Sequence, residues 1–250
     1  MEKAYKNLGF LLILLIPFTF LGFYKTYFNQ FPTFEETNTY IHIHATIASI
    51  WVLMLIAQPL LIRKKKYKLH KQIGKISYLV FPLLILSFIP GMVRIANSDA
   101  PAILFFPLSD VIMLIILYSL AIYHRKSTPK HMRYMIGIVL VFLDPTLGRI
   151  GIFWLELSDK VNQNVLCMVI YLILIGLIFL DRKNDRNYKP YLLIISLWLI
   201  HQITFNLLFW PFNCQRQVFG YCYRRYYKIV SSNERSSLNQ YVVHLRKKVS

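Results

Sequence analysis

The chain has 250 residues, 56% of them apolar and only 16% charged, too greasy a composition for one soluble domain of that length, so a lipid bilayer is its solvent. A formal charge of +18 would point to nucleic acid in a soluble protein. Here most of the 29 Lys and Arg lie in short segments between apolar runs, where positive charge orients helices in a membrane, and no nucleic-acid partner is expected. No GxSxG, P-loop, HExxH or zinc spacing occurs, so soluble hydrolase and kinase chemistry and a protein-bound metal find no support.

The first apolar run, 7–24, follows Lys3 and Lys6 as a signal peptide would, but no small-x-small cleavage site comes after it. It reads as an uncleaved first span. Sustained hydrophobicity then predicts spans at 41–62, 73–95, 101–124, 132–154, 161–181 and 190–212. Each suffices for a crossing, since a helix rising about 1.5 Å per residue needs roughly 20 residues to cross about 30 Å of hydrocarbon. The expected fold is therefore all-α, an integral membrane bundle of about seven transmembrane helices over residues 1–212.

Charge on alternate connections orients this bundle. The N-terminus, RKKKYKLHK at 63–71 with Lys75, RKSTPKHMR at 125–133, and 182–189 together carry 17 Lys or Arg. The opposite connections hold only Lys25 and Lys160 against five acids: Glu35, Glu36, Asp99, Glu156 and Asp159. The positive side is expected to be cytoplasmic, placing the N-terminus inside and the protein in the cell (inner or plasma) membrane. Anionic headgroups near 63–71 are the expected lipid partner. Residues 213–250 break the frame, carrying eight Lys or Arg on the side predicted to be outside. They read as a basic, poorly ordered tail, a segment lying on anionic lipid, or a non-native end from a reading-frame change, and no site is assigned there. Cys167, Cys214 and Cys222 have no metal spacing and are too few for a disulfide framework.

Ionisable groups inside the spans carry the functional signal, because each costs about 2.5–3.5 kcal/mol or more to insert and so needs a partner or a role. Arg94, Asp110, Asp144, Arg149 and His201 qualify. Counting from the outer span ends puts the two arginines within about 8 Å of the surface and Asp110, Asp144 and His201 about 13–16 Å deep. His44, Trp51 and Gln58 are spaced by seven and share one face of the second helix. With Gln202, Asn206 and a fifth helix loosened by Pro145, these groups could line a polar pocket for a small molecule, proton or ion. The competing expectation is structural: buried ion pairs between Asp110 or Asp144 and Arg94 or Arg149 that only fix packing. Paired histidines on facing helices also hold b-type haem, with His44, His70, His124, His131 and His201 the candidate ligands. His70, His124 and His131 match best in depth, but they lie in a basic belt that solvation also explains.

HIHATIASIWVLMLIAQPLLI, KYKLHKQIGKISY and PKHMRYMIGIVLVFLDPTLGRIG resemble a family of uncharacterised bacterial multi-pass membrane proteins over roughly residues 40–155. The shared pattern is a His before Trp and Gln, a Leu-His-x-x-x-Gly turn, and a His-x-Arg opening a helix that ends in Arg. It falls on His44, Trp51, Gln58, His70, Gly74, His131, Arg133 and Arg149. The resemblance implies the multi-pass fold and brings no activity with it. A more distant likeness to cytochrome b561-type proteins rests on histidines in spans alone. Three functions follow as expectations: a small-molecule or proton/ion pocket in the outer half, a b-type haem electron carrier or reductase, and a non-catalytic membrane scaffold.

Overall fold

A computed structural model describes residues 5–35 and 37–209; the basic tail at 213–250 and the last residues of the seventh predicted span lie outside the described residues. Among these residues there is no strand, and the chain forms an all-α bundle. The helices are α1 (Leu8–Ile13), α2 (Leu15–Tyr24), α3 (Thr39–Arg63), α4 (Tyr67–Ala96), α5 (Phe105–Tyr123), α6 (Thr128–Phe153), α7 (Asp159–Lys183) and α8 (Lys189–Thr204). The stretch Pro101–Leu104 is a 3₁₀ turn leading into α5, and Phe205–Phe209 is a π-helical turn following α8. Among the described residues six helices are long and apolar enough to cross a membrane, and the molecule is a multi-pass membrane protein.

Several boundaries differ from the hydropathy reading, two of them with consequences for the fold. The first predicted span is two short helices, Leu8–Ile13 and Leu15–Tyr24, together about 25 Å long and thus shorter than the hydrocarbon layer. α4 begins at Tyr67 rather than 73, because YKLHKQ contains no helix breaker and its basic side chains can reach the interface from within a helix. The connection left between α3 and α4 is tight, and Lys65 turns it with a φ of 58°.

Successive helices run antiparallel, which gives the bundle two chemically distinct ends. Arg63 donates to the carbonyl of Lys6 and to Asn7 Oδ1 at the basic end. Lys25 donates to the Phe153 carbonyl, and the Trp154 indole to the Leu21 carbonyl, at the acidic end. The outer surface is studded with exposed apolar side chains such as Leu79, Leu172 and Phe179, as a lipid-facing surface requires.

α6 is the axis of the bundle, half of its central stretch being buried. Close approach of its neighbours depends on small residues, as usual where lipid supplies no hydrophobic drive between helices. A Cβ on Gly151 would lie 1.8 Å from Asn162 Oδ1, so only glycine lets that α7 side chain lie against α6. Asn162 then donates to the Gly148 carbonyl at 2.9 Å. Gly22 brings α2 onto Thr146 in the same way, with a Cβ there meeting the Thr146 carbonyl at 2.7 Å. The apolar core continues through Leu140, Ile170, Leu174, Ile194 and Trp198, which separates the polar groups of the two ends on this side of the bundle.

Candidate functional site

Toward the acidic end, α5, α6 and α8 bring three titratable side chains together. Asp110 and Asp144 are both buried, and their carboxyl groups act on one another across α5 and α6. A hydrogen bond between two carboxyl groups requires a proton on one of them, because a carboxylate carries no donor. His201 of α8, also buried, places Nε2 4.0 Å from Asp144 Oδ2. The gap exceeds a hydrogen bond. Rings of Phe105 and Trp198, with centroids 5.0 and 5.4 Å from that of His201, wall the imidazole off from lipid.

Four polar atoms of this cluster are buried without a hydrogen-bond partner: Asp110 Oδ1, Asp144 Oδ2 and both ring nitrogens of His201. Burying such atoms unpaired costs roughly 1–3 kcal/mol each, so their convergence is a feature needing a reason. The other groups around them are cationic or polar. The Arg149 guanidinium acts electrostatically on Asp110, Asp144 and His44. It donates to the Pro145 carbonyl at 2.8 Å and lies 4.4 Å from the Phe23 ring centroid. Gln163 from α7 reaches Asp144 and, at 3.9 Å, the Cys167 sulfur.

His44 lies on the α3 side of this cluster, within the reach of the Arg149 charge. Ser87 gives its hydroxyl proton to the Leu84 carbonyl at 2.6 Å, so the 2.8 Å contact between His44 Nδ1 and Ser87 Oγ is donated by the imidazole. His44 Nε2 is then an acceptor. Arg94 is placed apart from this group: it is exposed and donates to the Tyr40 hydroxyl at 3.1 Å. Trp51 and Gln58 extend from His44 along α3 toward the basic end, Trp51 packed in the core against Phe81 and Tyr118. Gln202 and Asn206 form an amide cluster with Asn164 and Tyr171 between α7 and α8.

The candidate haem ligands divide between the ends. His44 is hydrogen-bonded to Ser87, and His201 lies 4.0 Å from Asp144. At the basic end His70 of α4 and His131 of α6 face one another electrostatically, while His124 stacks on Tyr134 with centroids 5.6 Å apart. His131 Nδ1 donates to the Ala121 carbonyl at 2.8 Å, which leaves Nε2 as its free position.

Sequence reasoning missed a second polar centre at the basic end. Arg133 and Asp181 form a fully buried ion pair, Nε to Oδ2 at 2.6 Å and Nη2 to Oδ1 at 2.8 Å. Tyr5 donates to Asp181 Oδ1 at 2.7 Å and accepts from the Tyr191 hydroxyl at 3.0 Å. Burial, with the Asp181 charge adding to it, pushes the Tyr5 phenol above its ordinary range. The signal was present: Arg133 and Asp144 are eleven residues apart and so share a face of α6. Among the described residues no group of three or more His, Cys, Asp or Glu side chains is arranged to hold a metal ion. Comparison with family models, with curated proteins and with solved structures finds no match.

Proposed function

We propose that this multi-pass protein handles protons in the outer half of the cell membrane, with its basic end cytoplasmic and the Asp110–Asp144–His201 cluster as the protonatable site. The observation that carries this reading is the convergence of four partnerless buried polar atoms on three titratable side chains from three helices. A purely structural ion pair would satisfy these atoms, as Arg133 and Asp181 satisfy theirs at the other end. The chemistry is that of a shared proton. Asp110 and Asp144 hold one proton between them, and His201 accepts it from Asp144. Arg149 compensates the carboxylate charge that remains. His44, with Nε2 as acceptor near the acidic end, exchanges that proton with the outside.

The test is proton movement into liposomes reconstituted with the purified protein and loaded with a pH-sensitive dye, driven by a potassium diffusion potential. Asp144→Asn retains shape and burial and removes the ionisable acid proton. Flux is expected to fall by about tenfold or more, the scale of a positioned acid–base group. Unchanged flux in correctly inserted Asp144→Asn protein removes Asp144 from the mechanism.

A further inference from the structure

α4 is the longest of the described helices, and at about 45 Å it outruns the roughly 30 Å of hydrocarbon, so its first turns stand among the headgroups at the basic end. At about 100° per residue, Lys68, Lys71, Lys75 and Tyr78 fall within about 80° of one another, and Leu79 and Leu86 continue the same face. All six side chains are exposed. Phe81 and Leu84, on the opposite face, are buried against the bundle. One outward stripe of α4 is thus cationic over its first turns, aromatic at Tyr78 and apolar beyond it.

Arg125, in the connection between α5 and α6, joins this stripe from the neighbouring helices. Its side chain is exposed, and Nη1 donates to the Tyr78 hydroxyl at 2.9 Å. That bond tethers the guanidinium beside α4 and leaves the donors of Nε and Nη2 to spare. Other arginines at the basic end are committed within the protein. Arg63 is bonded to the Lys6 carbonyl and Asn7, Arg133 to Asp181, and Arg182 lies 4.6 Å from the Tyr188 ring centroid. Among the described residues Lys68, Lys71 and Lys75 meet no carboxylate. Three ammonium groups and a tethered guanidinium on one face are therefore uncompensated, and a guanidinium fork matches the oxygens of a phosphate in pairs.

We infer that this stripe binds an anionic phospholipid in the leaflet at the basic end. The phosphate lies among Arg125, Lys71 and Lys75, and an acyl chain runs along Leu79 and Leu86. Charge complementarity selects the headgroup, and the sequence of cationic, aromatic and apolar turns selects a lipid. From Tyr78 to Leu86 is eight residues, about 12 Å, close to the half-thickness of a hydrocarbon core of about 30 Å. A free phosphate would engage the cations and leave the apolar turns without a part in binding. A zwitterionic lipid would cover the apolar turns and leave the excess charge unbalanced. The site is separate from the Asp110–Asp144–His201 cluster and stands or falls independently of proton handling.

The experiment reconstitutes the full-length protein in phosphatidylcholine liposomes containing a trace of phosphatidylglycerol or, separately, of phosphatidylcholine, each with a photoactivatable acyl chain. Cross-linked peptides are then mapped by mass spectrometry. Phosphatidylglycerol is expected to label α4 from Tyr78 onward about tenfold or more over phosphatidylcholine, each basic residue near an anionic headgroup being worth about fivefold. Lys71→Gln with Lys75→Gln is expected to abolish that preference, and Arg125→Gln to lower it by about fivefold. Lys64→Gln with Lys66→Gln removes the same charge from residues that precede α4 and is expected to keep the preference. Equal labelling of α4 by the two lipids in the wild-type protein overturns the site without recourse to any variant. Equal loss of preference in the two double variants also overturns it, since diffuse surface charge would then account for the labelling.

Discussion

Replacing Arg133 with Met isolates the energetics of the basic end. The guanidinium makes two short hydrogen bonds to Asp181 and one to the Pro129 carbonyl, and neither member of the pair is exposed. Methionine fills a similar apolar volume but leaves the Asp181 carboxylate with the Tyr5 hydroxyl in an otherwise uncompensated pocket. Breaking a buried pair from one side costs about 3–5 kcal/mol, because the surviving charge has lost water and gained nothing in return. At about 2–4 °C per kcal/mol for a fold of this size, the thermal midpoint of detergent-purified protein should drop by roughly 6–20 °C. Intrinsic fluorescence during a thermal ramp reports it. Removing both charges with Arg133→Met and Asp181→Leu should recover most of that loss, since a packed apolar pair is often as stable as the buried ions. A single-variant drop of less than about 2 °C would refute the claim that this pair is desolvated and mutually dependent.

Two further outcomes follow from the same geometry. The Tyr5 phenol is held above its ordinary value near 10, so the stability it contributes is fully present below that pH. It is lost as pH rises through the folded-state value, and Tyr5→Phe should flatten the alkaline fall in thermal midpoint that wild type shows above about pH 10; an identical fall in both proteins counts against the assignment. Gly151→Ala should destabilise by about 1–3 kcal/mol through collision with Asn162, and Asn162→Ala in the same chain should relieve it. Additive losses in the double variant would contradict the contact.

Much of the architecture was readable because the bilayer imposes long apolar helices, and charge between them defines two ends. Where the reading slipped, local physics explains it. Hydropathy cannot tell a helical YKLHKQ from a loop, since basic side chains serve either state at an interface. Asp110, Asp144 and His201 were visible as expensive groups in spans, and counting residues placed them at a common depth. Their facing one another depends on how α5, α6 and α8 rotate, which no single helix encodes. Arg94 counts to the same shallower depth as Arg149, yet it turns to Tyr40 at the surface. Arg133 was counted with the basic connection at 125–133 and Asp181, the last residue of the span 161–181, was not singled out; only the packing of Tyr5 and Tyr191 over them reveals their burial. The His44–Trp51–Gln58 stripe was legible as a heptad, but the packing of Trp51 against Phe81 and Tyr118 needed α4 and α5 in place.

The central claim is that Asp110 and Asp144 hold one proton between them. Infrared difference spectroscopy of the reconstituted protein in water and deuterated water measures it directly, because a protonated carboxyl has its own carbonyl band and shifts on exchange. The account predicts one such band, lost in Asp110→Asn and equally in Asp144→Asn, since either substitution destroys the shared hydrogen bond. A band that survives both substitutions, or no exchangeable carboxyl band in the wild-type protein, would contradict it.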